Sequence, residues 1–230
     1  MHAPDGFIDA PTSIAMGVIA AGGVGVALRR AGEELDERRV PLAGLTAAFV
    51  FAVQMLNFPV VGGTSGHLLG GVLAAVLLGP WVGSLCVTVV VVVQALLFAD
   101  GGLTALGFNI VNMALVTALG GYLVFLGLRR LLPKTRAGVA AASGVAAGLG
   151  VVLSSLAFSL EYAIGGTGGA SATTVTASMV SVHVLIGIGE GIITALTVSA
   201  VLASRPDLVW GARDLAVAAP PADALAGATS

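Results

Sequence analysis

Residues 81–98 read WVGSLCVTVVVVVQALLF, an apolar run without a single charged side chain. A run of this length can cross the hydrocarbon core of a bilayer as one helix. Across all 230 residues, 57% are hydrophobic and 10% are charged, and the mean hydropathy is +1.03. This composition leaves too little polar surface to cover a water-soluble domain of the same size. The sequence therefore predicts an integral membrane protein.

Six further apolar stretches satisfy the same criterion. They lie at 12–29, 41–58, 64–79, 103–128, 137–161 and 176–203. A Gly-Pro pair at Gly79 separates the third span from the fourth and is typical of a tight turn. We therefore predict an all-α fold, a polytopic transmembrane bundle of about seven helices. The ending AVAAPPADALAGATS lacks apolar periodicity, so residues 1–205 are predicted to form the membrane domain and 206–230 a disordered cytoplasmic tail.

The basic residues determine the orientation of this bundle. All ten Lys and Arg fall in connections on one face, and these are Arg29, Arg30, Arg38, Arg39, Arg129, Arg130, Lys134, Arg136, Arg205 and Arg213. Cytoplasmic loops carry such an excess of positive charge, so the N-terminus is predicted to lie outside and the C-terminus inside a cell membrane. No basic run precedes the first span, so we expect the N-terminus to be retained in the mature protein.

The three histidines, His2, His67 and His183, all fall in the predicted outer half. A free terminal amine followed by Xaa-His offers the amine, the His2 amide and a His2 ring nitrogen to one metal ion. An imidazole from His67 would complete a four-nitrogen set, which suits divalent ions late in the first transition series. The bulky second residue should keep aminopeptidases from removing Met1. The alternative is that His2 is an ordinary surface residue.

Five motifs occur in order along the chain and resemble the CbiM/NikM family, the substrate-binding membrane subunits of energy-coupling factor transporters for cobalt and nickel. They are MHAPDGF (1–7), GGTSGHLLGG (62–71), LLGPW (77–81), QALLFADGGLTALGFNIVNM (94–113) and HVLIGIGEG (183–191). The resemblance covers about residues 1–205. It implies that a retained N-terminus enters the protein and that Met1, His2 and His67 hold the metal. Ala3 departs from the pattern, because a larger aliphatic residue is expected there.

The resemblance also implies partners. The chain contains no Walker motif and offers little apparatus for proton coupling, so energy should come from other subunits. These would be a transmembrane coupling protein, a pair of cytoplasmic ATPases and a small accessory membrane subunit. The chain itself is expected to be neither an enzyme nor a binder of a resident cofactor or nucleic acid. The transported ion would be Co²⁺ or Ni²⁺, and the plain tail without a fused accessory domain favours cobalt for cobalamin biosynthesis.

Several other polar residues lie on apolar helices and could orient the ligands. These candidates are His183, Asn109, Asn112, Gln94 and Glu190. Ordinary hydrogen bonding between helices would explain them equally well. An alternative function comes from GTSG at 63–66, which fits an intramembrane serine protease of the rhomboid type, with His183 activating Ser65. A rhomboid places its glycine three residues after the histidine, whereas Gly187 follows His183 by four.

Overall fold

The computed structural model describes residues 1–35, 37 and 39–216, which form a bundle of helices. The helices are α1 (Ala10–Glu34), α2 (Val40–Gln54), α3 (Gly71–Leu78), α4 (Pro80–Leu97), α5 (Leu106–Leu131), α6 (Arg136–Gly165), α7 (Ala172–Ser204) and the short α8 (Arg213–Ala216). The middle of α5, Val111–Gly120, is π-helical. A small antiparallel hairpin pairs β1 (Phe58–Pro59) with β2 (Ser65–Gly66). Single turns of 3-10 helix occur at Val61–Gly63, Pro206–Leu208 and Trp210–Ala212.

The helices confirm the prediction of a multi-pass, all-helical membrane protein. Within the described part of the chain, α1, α4, α5, α6 and α7 are long and apolar enough to cross a membrane, and α2 is a shorter apolar helix. The predicted third span at 64–79 is wrong in extent, because α3 has only eight residues. Gly70, just before α3, has a φ of +73°, a left-handed conformation that glycine adopts without strain. Residues 64–70 therefore approach α3 as a loop.

Glycines hold α6 and α7 close together. A Cβ on Gly187 would lie 2.8 Å from the carbonyl oxygen of Gly148, and one on Gly191 would lie 2.8 Å from that of Gly144. Such small residues allow helix backbones to approach each other directly. Gly187 and Gly191 of α7 therefore face α6 of the same chain.

The N-terminal segment, residues 1–9, is joined to the connection between α6 and α7. The Asp9 N–H donates to the Gly165 carbonyl at 2.7 Å, and the Thr167 N–H donates to the Phe7 carbonyl at 2.9 Å. The Asp9 carboxylate also accepts from the backbone of the first turn of α1 at 2.9 Å, which caps that helix. The segment is thus fixed at its outer end before it enters the bundle.

The predicted disordered tail is wrong for residues 206–216. Val209 is 1% exposed and Ala212 is 3% exposed, so this stretch packs against the bundle. The Arg213 guanidinium lies 3.2 Å from the centroid of the Trp210 ring. A Trp and a Val between charged residues supply enough apolar surface to order the stretch. The rest of the predicted tail, residues 217–230, lies outside the described residues.

Candidate metal centre

Two sets of hydrogen bonds hold the N-terminal segment inside the bundle. Asn109 of α5 accepts from the Ala3 N–H at 2.8 Å and donates to the Ala3 carbonyl at 3.2 Å. Gly102 also donates to that carbonyl, at 2.9 Å. The Asp5 carboxylate accepts from the backbone N–H of Thr104 at 2.7 Å and from its hydroxyl at 2.6 Å. The first two residues of the chain are consequently buried, with exposed fractions of 0% and 3%.

These anchors bring the predicted ligand residues into contact. The Met1 amine hydrogen-bonds to Nε2 of His67, although 66 positions separate the two residues. The ring of His2 lies against that of His67, with 4.8 Å between centroids and a tilt of 34°. The His2 N–H donates to the Ser65 hydroxyl at 3.3 Å. Amine, amide and both imidazoles therefore share one buried site.

The hydrogen bonds indicate which ring nitrogens carry lone pairs. Nδ1 of His67 is 2.8 Å from the Leu68 carbonyl, so it carries the hydrogen, and Nε2 turns a lone pair toward the Met1 amine. Both ring nitrogens of His2 are buried without a hydrogen-bond partner among the described residues. Nε2 of His2 lies 3.7 Å from the Asp100 carboxylate. Buried polar atoms without partners are uncommon, and a bound cation would satisfy them.

Burial favours the neutral form of all three groups. It lowers the pKa of the Met1 amine well below its ordinary value, and the Asp100 carboxylate opposes this in part. Burial likewise lowers the pKa of His2 and of His67, and the nearby amine lowers both further. Neutral nitrogens have the free lone pairs that a metal needs. Among the described residues, no three His, Cys, Asp or Glu side chains converge as a metal site.

Two of the candidate orienting residues act on the ligand residues. Glu190 of α7 accepts from the N–H groups of Leu69 at 2.5 Å and Gly70 at 2.9 Å, which fixes the loop immediately after His67. The Gln94 side chain lies near His2 and raises its pKa, which opposes the larger effect of burial. Asn109 acts on the residue that follows His2, because it holds the backbone of Ala3.

The other two candidates make their hydrogen bonds away from the ligand residues, although His183 lies within electrostatic range of His67 and of the Met1 amine. Asn112 donates to the Glu161 carboxylate at 2.5 Å and to the Phe108 carbonyl at 3.1 Å, so it links α5 to α6. Nδ1 of His183 is 2.7 Å from the carbonyl one turn earlier in α7. The described hydrogen bonds and ring contacts do not join either side chain to the three ligand residues. Glu161, an acid that is 8% exposed within α6, was not identified from the sequence.

Asp100 and Gly101 are the residues at the site that the sequence did not single out. Asp100 lines a cleft of about 400 Å³ beside His2. Gly101 has a φ of +93°, and a Cβ on it would lie 2.9 Å from Nδ1 of His2. The signal for both was present in the sequence, because the acid and two glycines end the apolar run of α4 abruptly.

The protease alternative is not supported. The Ser65 hydroxyl accepts a hydrogen bond from the His2 amide, and Nδ1 of His183 is hydrogen-bonded to the backbone of its own helix. No hydrogen bond joins Ser65 to His183 among the described residues.

We expect Ser65→Ala to retain metal uptake, because it removes one long, neutral hydrogen bond to the His2 amide. Such a bond contributes about 1 kcal/mol, so metal affinity should fall by less than about tenfold. Calorimetric titration of the variant with Ni²⁺ measures this change. Proteolysis by the chain that is lost completely on removal of this one hydroxyl would favour the protease mechanism instead.

The chain is similar to known metal transport proteins. The profile described as the cobalt uptake substrate-specific transmembrane region, CbiM, matches residues 2–208. A protein of Haloquadratum walsbyi, provisionally described as a metal transport protein, is 42% identical over 212 residues, covering 91% of this chain and 94% of that protein. A provisionally described fused nickel transport protein, NikMN, of Archaeoglobus fulgidus is 39% identical over 210 residues, covering 91% and 68%. The crystal structure of a truncated transition metal transporter has a TM-score of 0.80 and 31% identity, covering 88% of this chain and 99% of that one.

Proposed function

Because this chain belongs to the CbiM family of cobalt and nickel transport proteins, we propose that it is the substrate-capturing subunit of an energy-coupling factor transporter. In this proposal it takes Co²⁺ or Ni²⁺ from outside the cell membrane through Met1, His2 and His67. The observation that carries the proposal is the direct contact between the Met1 amine and Nε2 of His67. A chain terminus placed against a buried imidazole has no evident structural purpose, whereas both nitrogens are metal donors.

The four donors would be the Met1 amine, the deprotonated His2 amide, Nδ1 of His2 and Nε2 of His67. The first three close a five-membered and a six-membered chelate ring. Ions late in the divalent series bind such nitrogen sets most strongly and can displace an amide proton, unlike Mg²⁺ and Ca²⁺. Asp100 would orient the His2 ring from its other nitrogen, as carboxylates commonly do for ligating histidines. Nitrogen ligands alone favour nickel over cobalt in affinity, and the supply of each ion in the cell would decide between them.

Transport would require further subunits. A buried nitrogen site can select and hold an ion, but accumulation against a gradient needs an energy source. We propose that a transmembrane coupling protein and a pair of cytoplasmic ATPases supply it, with a small accessory membrane subunit assisting capture. The chain would then function as the multi-pass, non-enzymatic component of the complex in the cell membrane.

Metal binding should weaken as the pH falls, and the slope of affinity against pH tests the ligand set. Burial lowers the pKa of the Met1 amine, so protons compete with metal for it less than they would for an exposed amine. The His2 amide must still release its proton to bind, so affinity should fall about tenfold for each pH unit between pH 8 and 6. Calorimetric titration of the purified chain with Ni²⁺ and Co²⁺ gives this slope, with Mg²⁺ as the non-binding control. A pH-independent affinity would contradict amide ligation.

A further inference from the structure

A second cleft lies at the other end of α5 from the metal centre. Its volume is about 570 Å³, and it opens between the last turns of α5 and the stretch at 210–214. Tyr122 and Phe125 contribute aromatic surface to it. Its charged lining residues are Arg129, Arg130, Lys134, Arg213 and Asp214, so four cations face a single carboxylate.

Two of the four cations are committed to the fold. Arg129 donates to Asp214 at 2.8 Å and to the Pro133 carbonyl at 3.0 Å, and Arg213 stacks on Trp210. The other two, Arg130 and Lys134, make no hydrogen bond or ion pair with any described residue. The cleft therefore presents two unpaired cations, whereas its other two cations are held by contacts within the fold.

The surroundings of the cleft indicate what could pair with these cations. Leu123 is 68% exposed and Leu126 is 39% exposed, one to two turns before Arg130 on the same side of α5, so an apolar surface extends from the cleft toward the membrane interior. At the end of a membrane-spanning helix, such leucines face acyl chains. The excess of Lys and Arg assigns this end to the cytoplasmic leaflet, where anionic lipids concentrate. A phosphate next to acyl chains is the chemistry of a phospholipid.

We propose that this cleft binds the headgroup of an anionic membrane lipid. Arg130 and Lys134 contact its phosphate oxygens, and its acyl chains lie along Leu126 and Leu123. The lipid would hold the stretch at 210–214 against α5 from outside. This proposal does not depend on the metal centre or on the transport function.

The proposal is tested by native mass spectrometry of the full chain titrated with phosphatidylglycerol and with phosphatidylcholine. We expect the chain to retain phosphatidylglycerol more tightly. In the double variant Arg130→Gln, Lys134→Gln, the affinity for phosphatidylglycerol should fall on the order of tenfold or more, since each cation near the membrane surface contributes appreciably. The matched control is Arg29→Gln, Arg30→Gln, which removes the same charge from the same face outside the cleft and should change affinity by less than about twofold.

Three outcomes would overturn the proposal. Unchanged retention in the Arg130 and Lys134 double variant would show that the lipid does not bind in the cleft. An equal loss in the Arg29 and Arg30 control would show only a general attraction to positive charge. Displacement of the lipid by millimolar inorganic phosphate would assign the cleft to a soluble anion instead. Circular dichroism of both double variants checks that they remain folded, as expected because these side chains are exposed.

Discussion

An extension of one or more residues before Met1 is expected to abolish tight binding of Ni²⁺ and Co²⁺ and to stop uptake. The extension converts the Met1 amine into an amide and moves the free α-amine out of the chelate. It would also have to enter a space that is closed, because Met1 is 0% exposed and its sulfur accepts a hydrogen bond from Ser154 at 3.3 Å. Loss of a residue that only orients a ligand lowers the metal affinity of a site by about 10–100-fold. Loss of a ligand itself should therefore lower the affinity by more than about 100-fold.

The control is an extension of the same length after Ser230, which should leave binding unchanged. A protease site placed so that cleavage regenerates a chain beginning at Met1 should restore affinity in the extended protein. Calorimetry before and after cleavage measures both states of one preparation. If the uncleaved protein binds metal as tightly as the cleaved one, the terminal amine is not a ligand.

Removal of the His67 imidazole is expected to have a similarly large effect. His67 is 0% exposed, so its side chain fills core volume as well as offering Nε2. Alanine would therefore leave a cavity. Asparagine is the better replacement, because its amide can still donate to the Leu68 carbonyl, as Nδ1 does at 2.8 Å, while nothing replaces Nε2. We expect His67→Asn to fold and to lose more than about 100-fold in metal affinity.

His183→Gln is the matched control for this prediction. His183 is equally buried, but among the described residues its hydrogen bond is to the backbone of its own helix, so its replacement should change metal affinity by less than about tenfold. Calorimetry with Ni²⁺ on both variants, together with their thermal unfolding, separates ligand loss from misfolding. Retained affinity in a folded His67→Asn protein, or equal losses in both variants, would contradict the site as proposed.

Hydropathy was sufficient to predict the membrane helices but not the loop before α3. The residues from Leu68 to Leu78 are apolar throughout, and an apolar run looks alike whether its first residues are helical or extended. Only backbone geometry distinguishes them, through the left-handed Gly70 and the carboxylate of Glu190 on the neighbouring N–H. The π-helical part of α5 could not be predicted either, because an apolar run has the same composition in a π-helix as in an α-helix.

The candidate site was predictable where its chemistry is local and not where it depends on packing. The spacing of Met1 and His2 follows from adjacent residues, and His67 could be proposed because it is one of three histidines in the predicted outer half. The roles of Asp100 and Ser65 depend on contacts across 98 and 63 positions, which one sequence does not reveal. The order at 206–216 was missed because the packing of Trp210 against the bundle is likewise a tertiary effect.

The anchoring of the N-terminal segment dictates an order of assembly during biosynthesis. Ala3 is held by Asn109, 106 positions later, and Gly6 accepts from Thr167, 161 positions later. A ribosome delivers the first residues of a chain long before these partners exist. The segment must therefore wait, unpaired, until α5 and the end of α6 have been inserted in the membrane. During that interval Met1 is open to every enzyme that acts on nascent chain ends, and afterwards it is closed to all of them. The timing of synthesis thus decides whether the amine survives unmodified.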